Sequence, residues 1–480
     1  MLKLLEHPGR IFALLSALLL GCIFGALITG EFVFALVPLA VAIGVISIMD
    51  ISKLYFLLIL VIPITIEIYL PNGLGIDLPG EIILIAITAL SPFLFLLKFK
   101  KSGFAYLQHP ITIVLLFHLV WILIAGVLAE DLVVGVKFFL AKLWYVIPFF
   151  FVSIYVLRDK LNYRIFFWTL LIPLVLSIIY VLIRHASVGF AFSEVNYSVS
   201  PIYRNHVNYG LLMVAFLPYV WAFYHWYKRG TVERLILIGV GLLMLVAIYF
   251  TYTRAAQGAV LLGIFCYFVI KFRWTVPVLL LSSIAIVMIG FFFVNESHYL
   301  DFAPDYERTI THTNYDNLIE ATVKLEDIST MERVNRWVAG GHMIKERPWT
   351  GFGPGNFYFN YRNYMVSSFE TYVSDNPDKS GIHNYYLMTM VEQGVIGLLV
   401  FLVLLFVTLF YGTRSYHLIL DPHLKTLVMA ATISIILISI TILINDLLEA
   451  LKIGGLFFIG MAVIVRESVR ALKEKTTSSF

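Results

Sequence analysis

Charged residues are scarce in this sequence, at 13% of 480 positions, where a soluble globular chain carries about 25%. A water-covered globule is thereby excluded. Cysteine is nearly absent: Cys22 and Cys266 both fall in apolar runs, so neither a disulfide framework nor a thiolate metal site is expected. The chain has no G-x-S-x-G elbow and no H-E-x-x-H helix, and GFGPGNF at 351–357 lacks the Lys–Ser/Thr ending of a nucleotide cradle. His298, His312, His342 and His383 are too scattered for a metal signature. No metal and no cofactor is expected. Low-complexity tracts and internal repeats are also missing, and many transporters show such repeats.

What the chain has in abundance is apolar length. Hydrophobic residues make up 60% and aromatics 15%, with a mean hydropathy of +0.90. Apolar runs long enough to cross ~30 Å of hydrocarbon recur from end to end. In lipid the backbone must satisfy its own hydrogen bonds, which makes these runs helices. The expected spans are 11–29, 32–49, 53–70, 80–98, 109–128, 136–157, 163–183, 206–226, 233–252, 255–271, 274–294, 384–411, 424–445 and 453–466. The fold class is therefore an all-α polytopic membrane protein of about fourteen transmembrane helices, with one long extracytoplasmic loop at 295–383. The first span lacks a small-residue cleavage site and reads as a retained anchor.

Lys and Arg set the orientation. With the N-terminus inside, Lys98, Lys100 and Lys101, Arg158, Lys160 and Arg164, Lys228, Arg229 and Arg234, and Arg466, Arg470, Lys473 and Lys475 all fall on the cytoplasmic side. The short opposite connections hold only Lys137, Arg184, Arg204, Arg254 and Lys452. Both termini are then cytoplasmic. This asymmetry accounts for the net charge of +4 without a nucleic-acid partner.

Three parts follow: an N-terminal transmembrane bundle at 1–205, a region at 206–411 containing the loop 295–383, and C-terminal helices with a cytoplasmic tail at 412–480. A shorter outer excursion spans 184–205. The long loop is too rich in aromatics for a solvated tether, with Trp337, Trp349, Phe352, Phe357 and Tyr361 among them. Within MERVNRWVAGGHMIKE, Val334, Trp337, Val338 and Ile344 recur near helical spacing, which predicts an amphipathic surface helix over 331–346. Pro348 and the glycines of GFGPG end it.

A few polar residues sit where chemistry is possible. Arg254, in TYTRAAQG, occupies a very short outer turn at the start of a helix. A guanidinium fork there suits phosphate oxygens, or it snorkels to headgroups. Arg204, in YRNHVNYG, stands at the outer mouth of the span 206–226. His383 and Asn384 mark the return of the long loop into the membrane; a histidine there serves as a general base or is structural. Glu392 lies deeper, either as a functional carboxylate or as a partner of Lys142. Asp446 and Glu449 read as solvated or paired.

Together these segments resemble the O-antigen ligase and polymerase superfamily of bacterial envelope glycosyltransferases. The similarity runs from about Arg204 to about Gly397 and rests on TYTRAAQGAVLLG, RWVAGGHMIKERPWTGFGPGNF and GIHNYYLMTMVEQGVIG; the 206–411 region is thus ligase-like. The resemblance implies transfer of a glycan from an undecaprenyl-pyrophosphate-linked donor to an acceptor, a lipid A-core sugar or another glycan. The site would lie on the extracytoplasmic face of the bacterial cytoplasmic membrane, among membrane lipids, and use neither metal nor nucleotide. It also implies that Arg254 and Arg204 hold the pyrophosphate and that His383 accepts the acceptor's proton. Arg333, Arg336, Asn384 and Glu392 are secondary candidates.

Overall fold

The computed structural model describes residues 50–69, 75–98, 104–294, 328–370, 374 and 381–478. The spans expected at 11–29 and 32–49 lie outside the described residues, as does 295–327 of the expected loop. The described long helices are α1 (Ile51–Val61), α2 (Gly80–Lys98), α3 (Pro110–Val127), α4 (Leu132–Val146), α5 (Lys160–Ser187), α6 (His206–Trp226), α7 (Val232–Phe250), α8 (Arg254–Lys271), α9 (Thr275–Val294), α10 (Ile328–Glu346), α11 (Tyr385–Leu418), α12 (Pro422–Thr441) and α13 (Leu451–Ser478). Nine helices among the described residues are long and apolar enough to cross a membrane. The chain is an all-α membrane protein.

Side-chain caps explain where many of these helices begin. Asp131, Asp159, Asn205, Asn384 and Asp421 each accept a backbone N–H of the helix they precede, satisfying donors that would otherwise be orphaned. Helix α4 runs on through a wide π turn at Ile147–Val152 to Val156, where Pro148 interrupts the regular hydrogen-bond ladder.

One expected span is shorter than its apolar run. Over 53–70 the helix continues only as a 3-10 turn to Ile64, and Ile66–Tyr69 then pairs antiparallel with Gly75–Leu78, Glu67 opposite Asp77. The sequence after Pro63, ITIEIY, alternates with a period of two, and that period favours a strand over a helix. The helix expected at 453–466 is longer, reaching Ser478 with its charged residues included.

The bundle is centred on α6, α12 and α13, which pack against one another. Buried residues make up 67% of the apolar window of α6 and 78% of that of α12, but only 6% of that of α9, so α9 is peripheral. Phe167 of α5 stacks on Phe223 of α6 at 4.0 Å, and a buried Glu467 on α13 accepts from Tyr163 at 2.7 Å and pairs with Arg470 at 3.1 Å. A second, smaller core joins α10 to the start of α11 through Ala339, Met343, Phe352, Phe357, Tyr361, Ile382 and Val391.

Candidate functional site

At the end of the bundle where α11 begins and α12 finishes, His383 is held in a positive-φ conformation (φ 56). That region is uncommon for a non-glycine residue and persists only when the surroundings impose it. Here they do. The His383 N–H donates to Asp446 Oδ2 at 2.9 Å, the Asn384 N–H donates to the same carboxylate, and the Tyr385 N–H donates to the Ile442 carbonyl at 2.9 Å. From the other side, Arg336 Nη1 donates to the Gly381 carbonyl at 3.1 Å and Trp337 Nε1 to the Ile382 carbonyl at 3.0 Å. Gly381 lies so close to Asp446 that a Cβ there would stand 2.3 Å from Oδ2. The segment 381–385 is thus seated between α10 and the 442–446 connection.

Arginines surround this seat. Burial first, and then the charges of Arg333, Arg336 and Arg204, hold the His383 imidazole down from 6.5 to about 3. The ring is neutral throughout the physiological range. Asp446 moves the other way, up to about 6, because burial outweighs the two amides and the arginine charges that favour its carboxylate. Arg336 is itself buried, with Glu332 Oε2 at 3.4 Å; Glu332 Oε1 also accepts from Ser374 at 2.7 Å. Arg204 is exposed and precedes α6. Arg254 is the first residue of α8, on a turn packed against the first turns of α6.

The remaining sequence candidates serve the scaffold in this structure. Asn384 caps α11, its side chain accepting the Leu387 N–H at 3.0 Å. Glu392 faces the GFGPG loop: its Oε1 accepts the Phe357 N–H at 3.2 Å. Around it α11 is broken at Gly394 (φ 69, ψ −177), and the loop fills the break. Phe352 and Gly353 donate to the carbonyls of Val391 and Glu392 at 3.0 and 2.8 Å, and Val395 donates to Pro348 O at 2.8 Å. A Cβ on Gly394 would fall 2.0 Å from the Trp349 carbonyl, so this close approach needs glycine. Glu392 does not pair with Lys142. That lysine, buried in α4, pairs with Glu449, whose Oε1 also accepts from Tyr385 Oη at 2.7 Å. The pair anchors the connection that carries Asp446.

Residues 239–402 match the family model for O-Antigen ligase. Over that segment the chain is similar to the O-antigen ligase/polymerase superfamily. Members of this superfamily are membrane glycosyltransferases of ligase or polymerase type. None of the curated proteins matches the chain. The ligase region includes Arg254, Arg333, Arg336, His383, Asn384 and Glu392, while Arg204 and Asp446 lie outside it. The structure brings Arg204, Arg333 and Arg336 into electrostatic reach of His383. It adds Asp446, whose only signal in the sequence is its place, with Glu449, in a short connection between apolar helices.

Proposed function

We propose that the protein is an O-antigen ligase-type glycosyltransferase acting at the extracytoplasmic face of the bacterial cytoplasmic membrane. Its donor is a glycan on undecaprenyl pyrophosphate, and its acceptor is a hydroxyl of a lipid A-core sugar. The acceptor oxygen attacks the anomeric carbon, the bond from that carbon to the pyrophosphate oxygen breaks, and the proton passes to the His383 imidazole. Arg254 and Arg204 bind the pyrophosphate and stabilise the charge that develops on it. A sugar pyrophosphate is already activated, so positioning, charge neutralisation and one base suffice.

The observation that carries this reading is the convergence of guanidinium charge on one rigidly seated, neutral histidine. That charge suppresses the basicity of His383. A bound pyrophosphate offsets it and raises the proton affinity of the ring when the acceptor arrives. Glycan profiles with and without the gene test the proposal. Loss of a ligase leaves carrier-linked polymer and bare lipid A-core. Loss of a polymerase, the rival within the superfamily, leaves single repeats. Unchanged profiles of both kinds contradict both readings.

A further inference from the structure

His206 takes no part in the mechanism above, yet its ring chemistry is fixed by the fold. Its backbone N–H donates to Asn196 Oδ1 at 3.1 Å, which establishes that this amide atom is the oxygen. The same oxygen lies 2.7 Å from His206 Nδ1. An oxygen cannot donate here, so Nδ1 must carry the proton. Nε2 is left without a hydrogen-bond partner among the described residues. Asn196 serves neutral imidazole and imidazolium equally, since both present Nδ1–H.

The placement of this ring is equally specific. His206 is the first residue of α6, two positions after Arg204. Gly210 lies one turn further along the same face. A Cβ on Gly210 would stand 3.2 Å from Ala256 Cβ and 3.3 Å from Thr251 Oγ1. The face of α6 that bears His206 therefore looks onto the turn that carries Arg254.

We infer that His206 is a third ligand of the donor pyrophosphate: it takes a proton on Nε2 as the anion binds and donates that N–H to a phosphate oxygen between Arg204 and Arg254. The inference rests on the pyrophosphate reading of those arginines. The titratable and charged groups on the elements around His206 are Glu194 and Tyr197 beside Asn196, Arg184 over Tyr197, Tyr203 and Arg204 before the helix, Tyr209 on it, Tyr252 and Arg254 on the facing turn, Lys452 at the start of α13, and His383 with Asp446 beneath it, beyond Arg204. The cations Arg184, Arg204, Arg254 and Lys452 outnumber the carboxylates Glu194 and Asp446, so a proton enters Nε2 only with the anion present.

Binding of undecaprenyl pyrophosphate to the full-length protein in lipid nanodiscs, followed from about pH 5.5 to about pH 8, tests this. An anion raises the proton affinity of His206, so the gain is present at low pH and lost as pH rises through the bound-state value. Wild-type affinity should exceed that of His206→Gln by up to about tenfold per pH unit within that window, and the two should converge above it. Asn196→Asp, which favours imidazolium through the same Nδ1–H, should move the midpoint upward. If His206→Gln matches wild type at every pH, or the Asn196→Asp midpoint does not move, His206 is no ligand. Should Arg204→Ala and Arg254→Ala weaken binding in those same experiments, the pyrophosphate reading survives that failure. If neither arginine substitution weakens binding, both readings fall.

Discussion

Replacing Asp446 by Asn keeps the shape of the side chain and removes its charge. The carboxylate accepts the amides of His383 and Asn384. Hydrogen bonds to a charged acceptor contribute about 1.5–3 kcal/mol and neutral ones about 1 kcal/mol. Two weakened bonds then loosen the seat by about 1–4 kcal/mol. At about 1.4 kcal/mol per tenfold in rate, D446N should lower transfer by about fivefold to several hundredfold. D446A leaves both amides unpaired in a half-buried site and should cost more. The pH profile separates this from a general loss of fold. Asp446 titrates at about 6 and His383 at about 3. A raised carboxyl is ionised above its shifted value and protonates as pH falls through it. The acid limb of kcat/KM, which reports the free enzyme, should therefore lie near pH 6 and belong to Asp446, although it will look like a histidine. In D446N that limb should vanish while the plateau drops. Single-turnover transfer in proteoliposomes, normalised to inserted protein, measures both. An unchanged limb in D446N, or near wild-type transfer by D446A, refutes the reasoning.

Arg254→Ala and His383→Ala should abolish transfer with normal membrane insertion, and Arg254→Lys should also impair it, because a lysine lacks the bidentate fork; quantified lipid-linked and transferred glycan in complemented cells reads this out. Glu392→Gln keeps an acceptor for the Phe357 N–H and should retain most activity. Gly394→Ala forces a Cβ into the Trp349 carbonyl and should release the GFGPG loop, seen as faster limited proteolysis within 347–357. Lys142→Met leaves Glu449 without its buried cation and should lower thermal stability in detergent, and the double change with Glu449→Leu should recover part of the loss, since an apolar pair is tolerated better than a lone, partly buried charge.

Much of the bundle was legible because hydrocarbon imposes a simple rule: apolar runs of sufficient length become helices, here opened by Asp and Asn caps. Helix α10 was legible from the spacing of Val334, Trp337, Val338 and Ile344, and it is observed at Ile328–Glu346. The hairpin at 66–78 was hidden because its apolar residues also suited a span and only their alternation betrayed a strand. The union of GFGPG with the break at Gly394 was not legible, since local patterning carries no information about backbone contacts between distant segments. Asp446 escaped for the same reason: its importance comes from an amide 63 residues earlier in the chain. Arg254 and His383 stood out because a cation or an imidazole at a membrane mouth is costly unless something uses it.

The most direct test of the central claim uses purified protein in liposomes given undecaprenyl-pyrophosphate-linked glycan and lipid A-core acceptor on one side only. Transfer without any glycan crossing the bilayer, lost in Arg254→Ala and in His383→Ala, is the predicted result. Glycan appearing on the far side with no bond formed to the acceptor would make the protein a lipid-linked oligosaccharide transporter and contradict the account.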